Sequence, residues 1–139
     1  MVRLIFPLLV LGTVCFAQPD ACGLLRGGEV RSAERRAMTG GSSVCRYGVG
    51  DGGILTVVVR RVPARWAAEQ IERMAKNPER YREAELGDRS FLFDMGEAGA
   101  ALCIFQGEYY VQLSVFRMGR ASSVRPVLER LAVTALERL

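Results

Sequence analysis

The chain has 139 residues, half of them apolar, with 19 basic and 15 acidic side chains and no histidine. That length builds one domain with a real core but not two, and a net charge of +4 is a weak field for a polyanion. The absence of histidine removes the commonest general base and metal ligand together, and most hydrolase mechanisms with them.

Residues 1–17 read as a secretory signal peptide: Arg3 supplies a basic start, Leu4 to Val14 an apolar core, and Cys15-Phe16-Ala17 small residues where a peptidase would cut. The apolar stretch is interrupted by Pro7 and falls short of the roughly twenty residues that span a bilayer. Thr13-Val14 before Cys15 does not offer the small residue that lipid attachment prefers. The expectation is a product cleaved near Ala17, secreted or periplasmic, without a transmembrane segment, and a single domain over 18–139.

Three cysteines follow the cleavage point, Cys22, Cys45 and Cys103, an odd number for an exported protein. Spacing alone does not fix the pairing. Cys22 stands at the entry to the domain, where a bridge to Cys45 ties the N-terminus to the first predicted strand, and this pairing is favoured. Closing a loop of that size is worth about 3 kcal/mol. Cys103 lies in Ala100-Ala101-Leu102-Cys103-Ile104-Phe105, where a thiol acts as a small hydrophobe.

The apolar spacing of Val30, Ala33, Ala37 and Met38 predicts a short helix over 27–38, ended by Gly40-Gly41. Strands are expected over 44–48 and 54–61, joined by a glycine-rich hairpin with Asp51-Gly52 at its tip. Gly48-Val49-Gly50-Asp51-Gly52-Gly53 contains the spacing of a dinucleotide fingerprint, but the β-branched run Ile54 to Val59 follows where that motif needs a helix. Pro63 suits a first helical turn, Trp66, Ala67, Ile71, Met74 and Ala75 recur at helical spacing, and Asn77-Pro78 ends the helix. Residues 78–87 are too highly charged to assign.

Three strands are expected next, over 89–94, 101–106 and 109–118, with Gly107-Glu108 as a tight turn. Asp94 and Glu97 sit in the looser turn between the first two, and two carboxylates fall short of a calcium shell. The last element follows the i, i+3, i+4, i+7 rule from Val124 to Leu139, with Ser122 or Ser123 as N-cap and Arg125 paired with Glu129. The charges on the helices alternate in sign, as in Glu69, Glu72, Arg73 and Lys76, which marks solvated faces and excludes a nucleic-acid track.

The resulting fold class is α+β, a mostly antiparallel five-stranded sheet in the order α-β-β-α-β-β-β-α with the helices packed on one side. The two hairpin-strand-helix stretches around Val44-Cys45-Arg46-Tyr47 and Leu102-Cys103-Ile104-Phe105 echo each other weakly. On the strand from Tyr109, the aliphatic set Val111, Leu113 and Val115 alternates with Tyr110, Gln112, Ser114 and Phe116. If the aliphatic set faces the helices, the second set joins Thr56 and Arg60 on a mixed aromatic and polar surface, which is the candidate ligand platform.

Cys22-Gly23-Leu24-Leu25, Glu29-Val30, Cys45-Arg46-Tyr47, the strand Leu55 to Val59, Leu86-Gly87-Asp88 and the closing amphipathic helix resemble small bacterial exported domains and lipoproteins of unknown function. The order of elements is similar to the α/β sandwich of the PsbP and Mog1 type. The resemblance implies that sandwich, with two similarly placed cysteines paired, and lends no catalytic residue.

The functional expectation is a non-enzymatic domain, with neither metal nor cofactor, that binds a protein, an envelope component or a small ligand through the sheet face. Two alternatives stand beside it: a thiol-dependent redox enzyme using Cys103, and a structural envelope subunit in which Cys103 joins two chains.

Overall fold

In the computed structural model, which describes residues 19–25, 32–39, 41–49 and 52–139, the β-branched and aromatic runs pair into one antiparallel sheet. Its strands are β1 (Ser32–Thr39), β2 (Ser42–Val49), β3 (Gly53–Arg61), β4 (Tyr81–Ala84), β5 (Arg89–Asp94), β6 (Gly99–Gln106) and β7 (Tyr109–Phe116). They lie side by side as a seven-stranded sheet in the order β1-β2-β3-β7-β6-β5-β4. Helix α1 (Ala64–Ala75) follows β3, helix α2 (Ala121–Glu137) follows β7, and short 3-10 turns occupy Ala21–Gly23 and Gly96–Ala98. The expected signal peptide lies outside the described residues.

The α+β class and the antiparallel sheet stand, while the count of five strands and the element order do not. Over 32–38 the expected helix is replaced by strand β1, which pairs with β2 from Ser32↔Gly48 to Thr39↔Ser42, while 27–31 lie outside the described residues. Helical spacing over so short a stretch is a weak prior, and a hairpin partner overrides it. Gly41, read as part of a helix stop, instead stands at φ 78° between β1 and β2. The unassigned stretch 78–87 holds β4, an edge strand of four residues that pairs with β5 from Tyr81↔Phe93 to Ala84↔Ser90. Short length and charge suit it to an edge, where unpaired backbone groups otherwise recruit other chains.

Each face has its own cover. Leu55, Val57 and Val59 of β3, Leu102 and Ile104 of β6, and Val111, Leu113 and Val115 of β7 share one face, the aliphatic one. α2 covers its β5–β6–β7 half with Val124, Leu128, Leu131, Ala132 and Ala135. Over β2 and β3 the cover is the N-terminal segment, where Ala21, Leu24 and Leu25 are buried. The Cys22–Cys45 disulfide, with Cα atoms 5.1 Å apart, fastens that segment to β2. Tyr47, buried beneath it, donates its hydroxyl to the Ala21 carbonyl at 3.2 Å, and the Ala21 N–H donates to Ser43 Oγ at 2.9 Å. Arg138 reaches from beyond α2 to donate to the Leu24 carbonyl at 3.0 Å, closing this cover against the helix.

α1 packs on the opposite face, against Phe91, Cys103, Phe105 and Tyr110. The expectation of both helices on one side is therefore corrected. Because cover lies on both sides, β6 is buried from Gly99 to Phe105, which accounts for its unbroken apolar run. Apart from the extra edge strand β4, the strand order is symmetric about the β3–β7 pair. A twofold relating two antiparallel neighbours keeps each face on its own side, so helices on opposite faces exclude a rotational repeat.

Local chemistry fixes several ends. Pro63 is the residue preceding α1, one position before the expected first turn, and its carbonyl accepts the Ala67 N–H at 3.1 Å. α2 begins at Ala121 after an extended Arg120 that makes no side-chain cap, so Ser122 and Ser123 lie within the first turn instead of capping it. β7 ends at Phe116 because Arg117 turns to φ 61°. Asp88 ties two loops together: its carboxylate accepts the Gly107 N–H at 2.7 Å, and its own N–H donates to the Phe105 carbonyl at 2.9 Å.

Candidate functional site

Thr56, Arg60, Tyr110, Gln112, Ser114 and Phe116 occupy one face, as the alternation predicts, with Thr56 opposite Ser114 and Arg60 opposite Tyr110 in register. They are not one open platform. α1 crosses part of this face, so Tyr110 and Ser114 are buried, Thr56, Arg60 and Gln112 are half-buried, and Phe116 alone is exposed, at 37%. Arg60, Tyr110 and Gln112 line the groove that α1 forms with the sheet, whereas Thr56, Ser114 and Phe116 continue along the face beyond it.

The groove encloses about 380 Å³, within the range of roughly 300–1,000 Å³ typical of small-molecule sites. Trp66, Gln70, Arg73 and Met74 form its helical wall, and Tyr81 and Phe93, stacked with ring centroids 4.8 Å apart, form the far side. Trp66 meets Tyr110 edge to face at 5.6 Å, so the aromatic wall is continuous with the floor.

The polar floor is a ladder along β7. Tyr110 donates its hydroxyl to Gln112 Oε1 at 2.7 Å, and Gln112 Nε2 donates to Ser114 Oγ at 2.9 Å. Alternation on a strand puts these three on one side at successive rungs, which makes the chain of bonds possible. Burial raises the Tyr110 hydroxyl far above the usual phenol range, and the adjacent Cys103 adds to the shift, so the residue is a neutral donor. Cys103 lies beside it, buried, and desolvation pushes its thiol up against a smaller opposing effect of the Tyr110 hydroxyl. It is therefore a thiol at neutral pH, not a thiolate.

Two arginines stand at the groove. The Arg60 guanidinium carbon lies 4.9 Å from the centroid of the Trp66 ring, and Arg73 Nη2 donates to Gln70 Oε1. Neither makes an ion pair among the described residues. This sets the groove apart from a larger cleft of about 610 Å³ beside the start of α2. There Arg120 pairs with Glu97 at 3.0 Å, Arg125 pairs with Glu129 at 2.7 Å and Asp94 accepts the Gly96 N–H at 2.7 Å, so most of its charges already answer one another.

Sequence reasoning placed the floor but missed the wall. Trp66 and Met74 read as an ordinary core stripe and Arg73 as part of a solvated face, while Gln70 carries no signal of its own. The signal that could have exposed them is that α1 has too narrow an apolar stripe to lie flat, since Met74 is its one fully buried side chain. Gly48 and Val49 end β2 and Gly53 opens β3, so a strand follows where the dinucleotide motif needs a helix; Gly50 and Asp51 lie outside the described residues. No group of three or more metal-ligating side chains occurs among the described residues, and no helix there is long and apolar enough to cross a membrane.

Comparison with protein-family models, with curated proteins and with solved structures finds no match for this chain.

Proposed function

We propose that the domain is an exported, non-enzymatic binding module that holds a small ligand between α1 and the sheet. The observation that carries this reading is the hydrogen-bonded ladder Tyr110–Gln112–Ser114 running into a groove walled by Trp66, Tyr81 and Phe93. A concave site with aromatic walls and convergent polar groups is a usual form of a small-molecule site. Export is supported by the Cys22–Cys45 disulfide, which suits an oxidising compartment, and by the signal-like composition of residues 1–17. A helix on each face of the sheet is in keeping with the PsbP- and Mog1-type sandwich that the resemblance implies.

The alternatives built on Cys103 are less well supported. A redox or nucleophilic role wants a thiolate in contact with solvent, whereas this thiol is buried and its ionisation is suppressed. Burial equally keeps it from a second chain.

Trp66 is the only tryptophan of the chain and lines the groove, so its emission is a built-in reporter. A fragment screen read by Trp66 fluorescence and mapped by amide chemical shifts should give hits that perturb α1 and β7 together. Hits that map elsewhere, to the cleft beside Arg120 for example, would overturn this reading.

A further inference from the structure

We propose that the ligand of this groove is an oxyanion carried on a flat apolar body, such as an aryl carboxylate or aryl phosphate, with Arg60 and Arg73 receiving the anion. The inference rests on the binding reading above and adds the chemical class of what is bound.

The argument is a count of what the groove still offers once its internal bonds are made. Gln112 accepts from Tyr110 and gives one of its two amide N–H groups to Ser114, leaving the other N–H. Ser114, which accepts that bond, lies just beyond the groove. Gln70 Oε1 is taken by Arg73, which leaves the Gln70 amide N–H groups. Arg60 is held over the Trp66 ring, an attraction through the ring face that uses none of its five N–H donors. The amide and phenol oxygens keep a lone pair each, but the two guanidinium groups make the residual capacity mainly donor capacity, and among the described residues no aspartate or glutamate lines the groove.

Two positive charges without carboxylate partners lie beside those donors. A guanidinium matches a carboxylate or phosphate through two parallel N–H groups, and the attraction strengthens where aromatic walls exclude water. The body of the ligand follows from the walls. Trp66 and the stacked Tyr81–Phe93 pair present ring surface, which favours a planar apolar group. A cationic ligand would be repelled by the two guanidinium groups, and a neutral one would offer them weaker acceptors than an oxyanion does.

The test uses the processed, disulfide-bonded protein with 2-naphthoate, 2-naphthyl phosphate and the neutral isostere 2-naphthamide, by titration calorimetry and amide chemical-shift mapping. The expected result is that at least one anion binds at α1 and β7 at least tenfold more tightly than the amide. Which of the two binds more tightly separates a carboxylate ligand from a phosphate ligand. Arg60→Gln and Arg73→Gln should each weaken the anion about tenfold and the amide by clearly less. Arg60→Lys should fall short of full rescue, because an ammonium lacks the planar fork. Arg73 is exposed and Arg60 half-buried, and an unchanged melting temperature for each variant confirms that folding is intact. Equal binding of amide and anions in the groove would overturn the oxyanion assignment and leave the binding module standing. Failure of all three compounds to perturb α1 and β7 would overturn the oxyanion assignment as well, and with hits mapping elsewhere in the fragment screen it would overturn the groove.

Discussion

Cys45 and Cys103 sit on the second strand of two hairpins with similar sequences, yet they point to opposite sides of the sheet. Cys45 is opposite Val57 in register and joins the aliphatic core, whereas Cys103 is opposite Gln112 and lies under α1 with Tyr110. The body of the sheet separates them, so among the described residues Cys22 has one reachable partner and the Cys103 thiol is kept out of disulfide exchange by geometry.

The same burial gives the protein an alkaline limit. Cys103 and Tyr110 have folded-state ionisation raised above their ordinary values of 9.0 and 10.0. A raised group is fully protonated in both states at lower pH. The unfolded chain begins to lose its proton first, so stability falls as pH climbs through the ordinary value. Denaturant midpoints should be flat near neutrality and decline above about pH 9, with Tyr110→Phe removing most of the decline above about pH 10. A profile indifferent to both Cys103→Ala and Tyr110→Phe would show that neither group is the cause.

Removing the disulfide should loosen one end of the core and not the whole. Cys22→Ser with Cys45→Ser should lower unfolding free energy by about 3 kcal/mol. The loss should appear first where Ala21, Leu24 and Leu25 cover β2 and β3. Hydrogen exchange at β2 should rise while β6, covered by both helices, stays protected. Tyr47→Phe in the otherwise native protein should cost about 1 kcal/mol by removing its hydrogen bond to the Ala21 carbonyl.

Two glycines with positive φ should behave very differently on substitution. Gly99 opens β6 at φ 148°, and a Cβ there would stand 1.9 Å from the Val115 carbonyl oxygen, an overlap that only a shift of β6 against β7 could relieve. Gly107, in the β6–β7 turn at φ 57°, has open space around the same position. Gly107→Ala should cost about 1 kcal/mol, the conformational penalty alone. Gly99→Ala should cost about 3 kcal/mol or more, because overpacking is added to it. Equal thermal shifts for the two variants would contradict the close approach of the strands.

Much of this architecture is legible in the sequence because the signals concerned are local. The β-branched run Ile54 to Val59, the alternation from Tyr109 to Phe116 and the heptad-like stripe of α2 each state their own period. β1 was hidden because its residues Glu34, Arg35 and Arg36 suit a helix, and only pairing with β2 decides the matter. β4 was hidden because four residues are too few to display an alternation. For the groove, Tyr110, Gln112 and Arg60 were legible from strand pattern, whereas Trp66 and Arg73 depend on which face of the sheet α1 chooses, a tertiary choice with no local signature.

That choice leaves α1 weakly held, and its opening should be measurable. α2 buries Ala121, Val124, Leu128, Leu131, Ala132 and Ala135, whereas α1 buries Met74 alone, with Trp66, Ala67 and Ile71 packed from the margin. Local opening free energy follows the apolar area an element must expose, so α1 can detach from the sheet without unfolding it. Its amides should exchange well before those of α2, at a rate that changes little in mild denaturant because little surface is uncovered. Leu128→Ala should lower global stability by about 3 kcal/mol or more, as for a fully buried leucine. Met74→Ala should chiefly speed exchange within α1 and lower global stability by less. A ligand held between Trp66 and the Tyr110–Gln112 floor bridges helix and sheet, so its binding should slow α1 exchange selectively. If α1 and α2 exchange together, the groove has a rigid wall, and ligand entry must proceed without movement of the helix.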